Sequence, residues 1–107
     1  TEELGIGLQQ WQNASQDISQ RVLEDIDLVG TSSVNFLMLS GTVLGGWLLA
    51  KSAMIAEAKM DTDEAFFSAK IATANFYASH IMPRAIAFAK AAVANSNDVM
   101  GLSEDQF

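Results

Sequence analysis

The chain has 107 residues, half of them apolar, with one proline, no cysteine and a formal net charge of −7. That length admits one hydrophobic core rather than two, and the apolar share excludes a disordered or collagen-like chain. Lack of cysteine removes disulfides, thiolate zinc sites and cysteine nucleophiles and suits the cytoplasm, while the acidic balance opposes nucleic acid or anionic lipid.

The chain opens as TEELGIGLQQW, already in a helical pattern, with no initiating Met and no basic segment ahead of an apolar one. It is read as a piece of a longer polypeptide. The first predicted helix covers roughly residues 2–24, where Leu4, Leu8, Trp11, Ser15, Ile18 and Val22 recur at amphipathic spacing. Glutamines, Asn13 and Asp17 fill most of the remaining surface, and Gly5 and Gly7 weaken the first turns.

Residues 25–33, DIDLVGTSS, break the pattern and read as a loop, with Ser32 or Ser33 placed to cap the second helix. That helix is expected from about Val34 to Lys59. Leu37, Leu44, Leu48 and Ile55 share one face, Phe36, Val43, Trp47 and Met54 its neighbour, and Thr42, Gly46, Ala53 and Ala56 a third strip where a partner helix could come close. A helix apolar nearly all round implies burial on several sides.

In MDTDE, residues 60–64, Asp61 is placed to cap the third helix, with Glu64 reaching back from three residues on. That helix is expected from about Thr62 to Asn95. Its core line reads Phe67, Ile71, Ala74, Ala78, Ile81, Ala85, Phe88 and Ala92. Pro83 lacks an amide hydrogen and crowds the carbonyl of Ser79, which predicts a kink between Ser79 and Pro83. Residues 1–27 carry −5 and residues 65–97 carry +3, so the first and third helices should attract weakly. The expected fold is all-α, an antiparallel up-down bundle of three long helices with a short C-terminal tail, forming one helical domain over residues 1–107.

The run from Leu28 to Ala50 holds no charge over 23 residues, ~35 Å as helix, long enough to span a bilayer. It also contains Gly41 and Gly45 at the small-xxx-small spacing of membrane helices. Yet Thr31, Ser32, Ser33 and Asn35 shorten the strongly apolar part to residues 36–50, a length that favours a buried core helix. The helix then continues past Lys51 without an interfacial break, and both flanking helices offer apolar faces. No membrane span is expected.

Catalytic and metal constellations are missing from the sequence. His80 is the single histidine, with Arg84 one turn on and no carboxylate to orient it, so it reads as a surface or groove residue. There is no HExxH, Glu-x-x-His or EF-hand spacing, and the glycines fall inside a helical pattern rather than between strand and helix. Asp61, Asp63 and Glu64 are explained by capping and the helix dipole. No catalytic, cofactor-binding or metal residue is assigned. Trp11, Phe36, Gly41, Gly45, Trp47, Phe66, Phe76 and Tyr77 are the candidates for helix packing or an interface.

The stretches FLMLSGTVLGGWLLAKSA, FFSAKIATANFYASHIMPRA and DVMGLSEDQF resemble the extreme C-terminal domain of an extended subgroup of acyl-CoA dehydrogenases, the 3-methylthiopropionyl-CoA type. The resemblance rests most on the aromatic-Leu-x-Leu-x-Gly opening at Phe36, on AKIATANFYA leading to Met82-Pro83, and on Val99-Met100 with Phe107. It covers nearly the whole chain, less clearly before Val29. Leu102-Ser103 stands where relatives often have Leu-Pro. The resemblance implies that the chain is the C-terminal fragment of a flavoenzyme that uses FAD to convert acyl-CoA to 2-enoyl-CoA. The flavin, the CoA contacts and the glutamate base would lie upstream. It implies an accessory role in packing, subunit association or active-site access, with the upstream catalytic domains and further subunits of a homo-oligomer as partners. The competing expectation is a free-standing helical interaction module that self-associates through an apolar groove.

Overall fold

The computed structural model describes residues 2–107. The first helix, α1, spans Glu2–Arg21, with Glu2 and Glu3 in its first turn and Arg21 in its last, each matched in sign to the helix dipole. Its buried residues are Gly7 and Ala14, whereas Leu8, expected on the core stripe, is exposed. The contact line has rotated towards the small residues, because α1 lies close to its neighbours.

The long helix α2 spans Leu28–Ala58 and begins about six residues earlier than the sequence pattern predicts. Leu28 is fully buried, and that burial outweighs the poor helix propensity of Gly30, Thr31, Ser32 and Ser33. The serines do not cap the helix. Ser32 Oγ donates to the carbonyl of Leu28 and Ser33 Oγ to that of Gly30, bonds that suit an interior position. The first free amides are taken by the preceding turn instead, Leu28 N–H by Asp25 and Val29 N–H by Ile26.

After a 3-10 turn at Met60–Thr62, α3 spans Glu64–Phe76. Its cap is Asp63, which accepts from the Phe66 amide at 3.2 Å, and not Asp61, which lies within the 3-10 turn. The third residue after Asp63 is Phe66, so the reciprocal bond expected from Glu64 has no place. The predicted third helix is then interrupted by a π turn at Tyr77–Ile81, closed by the Met82 amide on the Tyr77 carbonyl at 2.9 Å. Helix α4 starts afresh at Arg84–Ala92, with Pro83 as the residue before it, where its missing amide costs nothing. The interruption falls where the kink was expected. Ala74, Ala85 and Ala92 of the expected core line are buried, but Met82 and Ala89 take the buried places expected of Ile81 and Phe88, which are half-buried. A four-residue helix α5 (Asn97–Met100) and a 3-10 turn at Glu104–Gln106 form the tail.

The described residues contain no strand, and the helices pack as an antiparallel all-α bundle. α1 lies against α2 and α4, α3 lies against α2, and α1 scarcely reaches α3. The molecule is therefore three helices deep at one end and a two-helix hairpin at the other. It measures 65 × 28 × 16 Å with a radius of gyration of 18.2 Å, against ~13 Å for a compact chain of this length.

The deep end is held by the cluster Ala14, Leu39, Val43, Met82, Ala85 and Ala89. Polar ties lock its closed end. Arg21 Nη1 donates to Asp17 Oδ2 and to the Val93 carbonyl, both at 2.7 Å, and buried Ser96 donates to the Asp25 carboxylate. The attraction expected between α1 and the third helix is not made by ion pairs: among the described residues the one salt bridge, Arg21–Asp17, lies within α1.

Burial of α2 on several sides is not found within the chain. Leu37, Leu44, Leu48 and Ile55 are 70, 48, 51 and 49% exposed and form an open apolar face. The close approach is on the opposite side. A Cβ at Gly45 would stand 2.7 Å from the Tyr77 hydroxyl, and one at Gly7 or Gly46 would collide with Met82. Nothing lies within 4 Å of a Cβ at Gly41. Gly45→Ala is expected to cost about 1–3 kcal/mol through overpacking, and Gly41→Ala to add up to about 1 kcal/mol through helix propensity. Urea unfolding of the two variants checks both signs.

Candidate functional site

The most built-up locality is the junction where the π turn meets the middle of α2. A π turn adds one residue to a turn of helix and swings Tyr77 towards Gly45. There the Tyr77 hydroxyl donates to the Thr42 carbonyl at 2.6 Å. Met82, 2% exposed, fills the space left by Gly7 and Gly46. Burial pushes the Tyr77 phenol above its ordinary value of about 10, so the group remains a neutral donor.

From this junction a groove of ≈ 510 Å³ runs along the hairpin end between α2 and α3. Its walls are mainly small or flexible apolar residues, among them Ala50, Ala53, Met54, Ile71, Ala74 and Ala78. Glu57 and Asn75 are its polar members beyond Tyr77, and no Lys or Arg lines it. A second cavity of ≈ 490 Å³ lies between α1 and α4, and a third of ≈ 550 Å³ between the end of α1 and the start of α2. The described residues hold no cluster of three or more His, Cys, Asp or Glu side chains. The α2–α3 groove is lined mainly by apolar side chains, a surface suited to packing and binding.

The residues singled out from the sequence divide into two groups. Trp11, Phe36 and Tyr77 are half-buried against the core cluster, and Gly45 faces the Tyr77 ring. Trp47, Phe66 and Phe76 are exposed, and Gly41 opens onto solvent with the Leu37–Leu48 face. Each exposed ring keeps a local partner. Lys51 lies 5.2 Å from the Trp47 ring centre, Lys70 lies 5.5 Å from that of Phe66, and His80 stacks on Phe76 at 4.7 Å. His80 is thus a surface group. Sequence reasoning misses Gly7, Met82 and the Asp25–Ser96 pair. Met82 beside Pro83 is the available signal, since a helix restarting at proline fixes which way the preceding side chain points.

α2 is the one helix among the described residues that is long and apolar enough to cross a membrane, and 17% of its most apolar 18-residue stretch is buried within the chain. Its first half, however, is flanked by α1, whose outer surface carries Gln9, Gln12, Asn13, Gln16 and Gln20. Placing that half in hydrocarbon would take this polar surface with it, at a cost of a few kcal/mol for each unsatisfied polar group.

Residues 1–103 match the family described as acetyl-CoA dehydrogenase C-terminal like. A broad-specificity linear acyl-CoA dehydrogenase of Mycobacterium tuberculosis is 32% identical over 94 residues, covering 83% of this chain and 15% of that protein. A 3-methylmercaptopropionyl-CoA dehydrogenase of Ruegeria pomeroyi is 41% identical over 61 residues, covering 55% of this chain and 10% of that protein. The chain therefore spans 15% or less of the length of these relatives.

Because the folded state holds the Tyr77 proton more tightly than the unfolded chain, its contribution is fully present below about pH 10 and is lost as pH rises through the raised folded value. Tyr77→Phe should remove that part of the alkaline decline. At neutral pH it should cost about 0.5–1.5 kcal/mol for the lost bond to Thr42. Urea midpoints of both proteins between about pH 7 and pH 11 test the two effects.

Proposed function

This chain belongs to the family of acetyl-CoA dehydrogenase C-terminal-like domains, and from that premise we propose that it is the accessory helical domain of an FAD-dependent acyl-CoA dehydrogenase. Residues 1–107 form one helical domain at the C-terminal end of that longer polypeptide. The whole enzyme removes two hydrogens from Cα and Cβ of an acyl-CoA thioester, giving a 2-enoyl-CoA, and works in the cytoplasm. The α2–α3 groove does not fit the flavin: it offers no cation for a diphosphate. FAD, the CoA contacts and the catalytic base are assigned upstream.

The observation that carries the accessory role is the shape. A slab 16 Å thick and 65 Å long leaves the Leu37, Leu44, Leu48 and Ile55 face of α2 uncovered. An apolar surface of that extent is stable in water when laid on another body. The upstream catalytic domains are its proposed cover, with subunit association or shaping of active-site access as the consequence. The second reading, a module that self-associates, is favoured by one feature of the same face. Leu37 and Leu44 flank the open Gly41 at nearly equal spacing, as a two-fold contact between identical helices would need.

The two readings part in one experiment. An enzyme stopped just before Thr1 is expected to lose thermal stability, subunit association or several-fold in kcat/KM, and the separately produced 107-residue chain should bind it. Unchanged stability, association and activity with no binding, together with dimers of the 107-residue chain by light scattering, would establish the self-associating module.

A further inference from the structure

The α2–α3 groove lies in line with α1. Near Gly7, α1 packs on Val43 of α2 and on Met82 and Ala85 of the third rod. Both rows continue past the N-terminal end of α1 and become the groove walls. Along α2, Val43, Ala50 and Glu57 recur every seven residues, so they lie along one line of the helix. Along the other rod, Ala85 and Met82 lead back to Ala78, Ala74 and Ile71 at steps of three and four. The first half of each row is covered by α1 and the second half by nothing in this chain.

Resting on the reading that this chain is the C-terminal part of a longer enzyme, we infer that the groove is the seat of the segment immediately preceding Thr1, which continues α1 as helix by about two turns. The length fits. Gly46 to Glu57 rises ~16 Å along α2, and α1 already occupies about half of that upstream of Gly7, so roughly six residues complete the bundle. The chemistry fits as well. The alanines of the walls leave room for large side chains on the incoming face. The groove carries no cation to oppose the positive N-terminal end of a helix, and Glu57 stands at the far end, where that dipole favours an acid. Large apolar residues are expected about four and seven positions ahead of Leu4, continuing its stripe.

Hydrogen exchange on the full-length polypeptide tests this. The roughly six residues ahead of Thr1 should exchange at least tenfold more slowly than unstructured chain. Residues 50–60 and 71–78 should be slower than in the 107-residue chain. Filling the groove from within by Ala50→Trp should release the upstream segment to near free-chain rates. Ala50→Leu, a milder filling, should release it in part, which separates displacement from misfolding. An upstream segment that exchanges freely, or one that stays protected in both variants, would overturn the inference, as would a protected groove beside a free segment. A natural polypeptide with the mass of these 107 residues alone would instead remove the reading on which the inference rests.

Discussion

Three helices converge on one methionine. Met82 is almost completely buried, and the residues facing it from α1 and α2 are the glycines Gly7 and Gly46. Neither partner has a side chain there, which leaves the Met82 thioether room between the helices. The distance set at this point decides what else can be buried. Leu39, Val43 and the alanines Ala14, Ala85 and Ala89 close around it with few large groups. Packing at this density tolerates little added volume. The Tyr77–Thr42 bond one turn away keeps the π turn seated, and the Arg21 and Asp25 ties close the bundle at its other end.

Much of this is legible in the sequence because it depends on helical spacing. The all-α class, the antiparallel order of three rods and the core line through Ile71, Ala74, Ala85 and Ala92 need only periodicity and the punctuation at residues 25–33 and 60–63. Local pattern misleads where a tertiary contact overrules a local preference. Gly30, Thr31, Ser32 and Ser33 look like a loop, but Leu28 is buried beneath them and the serines bond back along the helix. Asp61 and Asp63 are both able to cap, and only the 3-10 turn decides in favour of Asp63.

The site is harder to read than the fold, for a physical reason. A groove lined by alanine and methionine has no sequence signature, since the same residues in the same spacing also describe an interior. For α2 the sequence shows that every side is apolar but not which sides are covered. Its closely packed side carries Leu28, Leu39, Thr42, Val43, Gly46 and Ala56, and its open side carries Leu37, Leu44 and Leu48. Large apolar residues thus lie on both sides. That two-sided distribution accounts for the membrane-like look of residues 28–50.

The π turn also has a consequence for how this chain can vary. It holds one residue more than an α-helical turn, so it sets the rotational phase of α3 relative to α4. Removing a residue between Tyr77 and Ile81 would turn one half of the rod by ~100° against the other. Ile71 and Ala74 would then leave α2, or Ala85 and Ala89 would leave the core. Length changes in the tail after Ser96 carry no such rotation. The five residues from Tyr77 to Ile81 are in effect the angular gauge of the domain, and their number constrains it as firmly as their identities do.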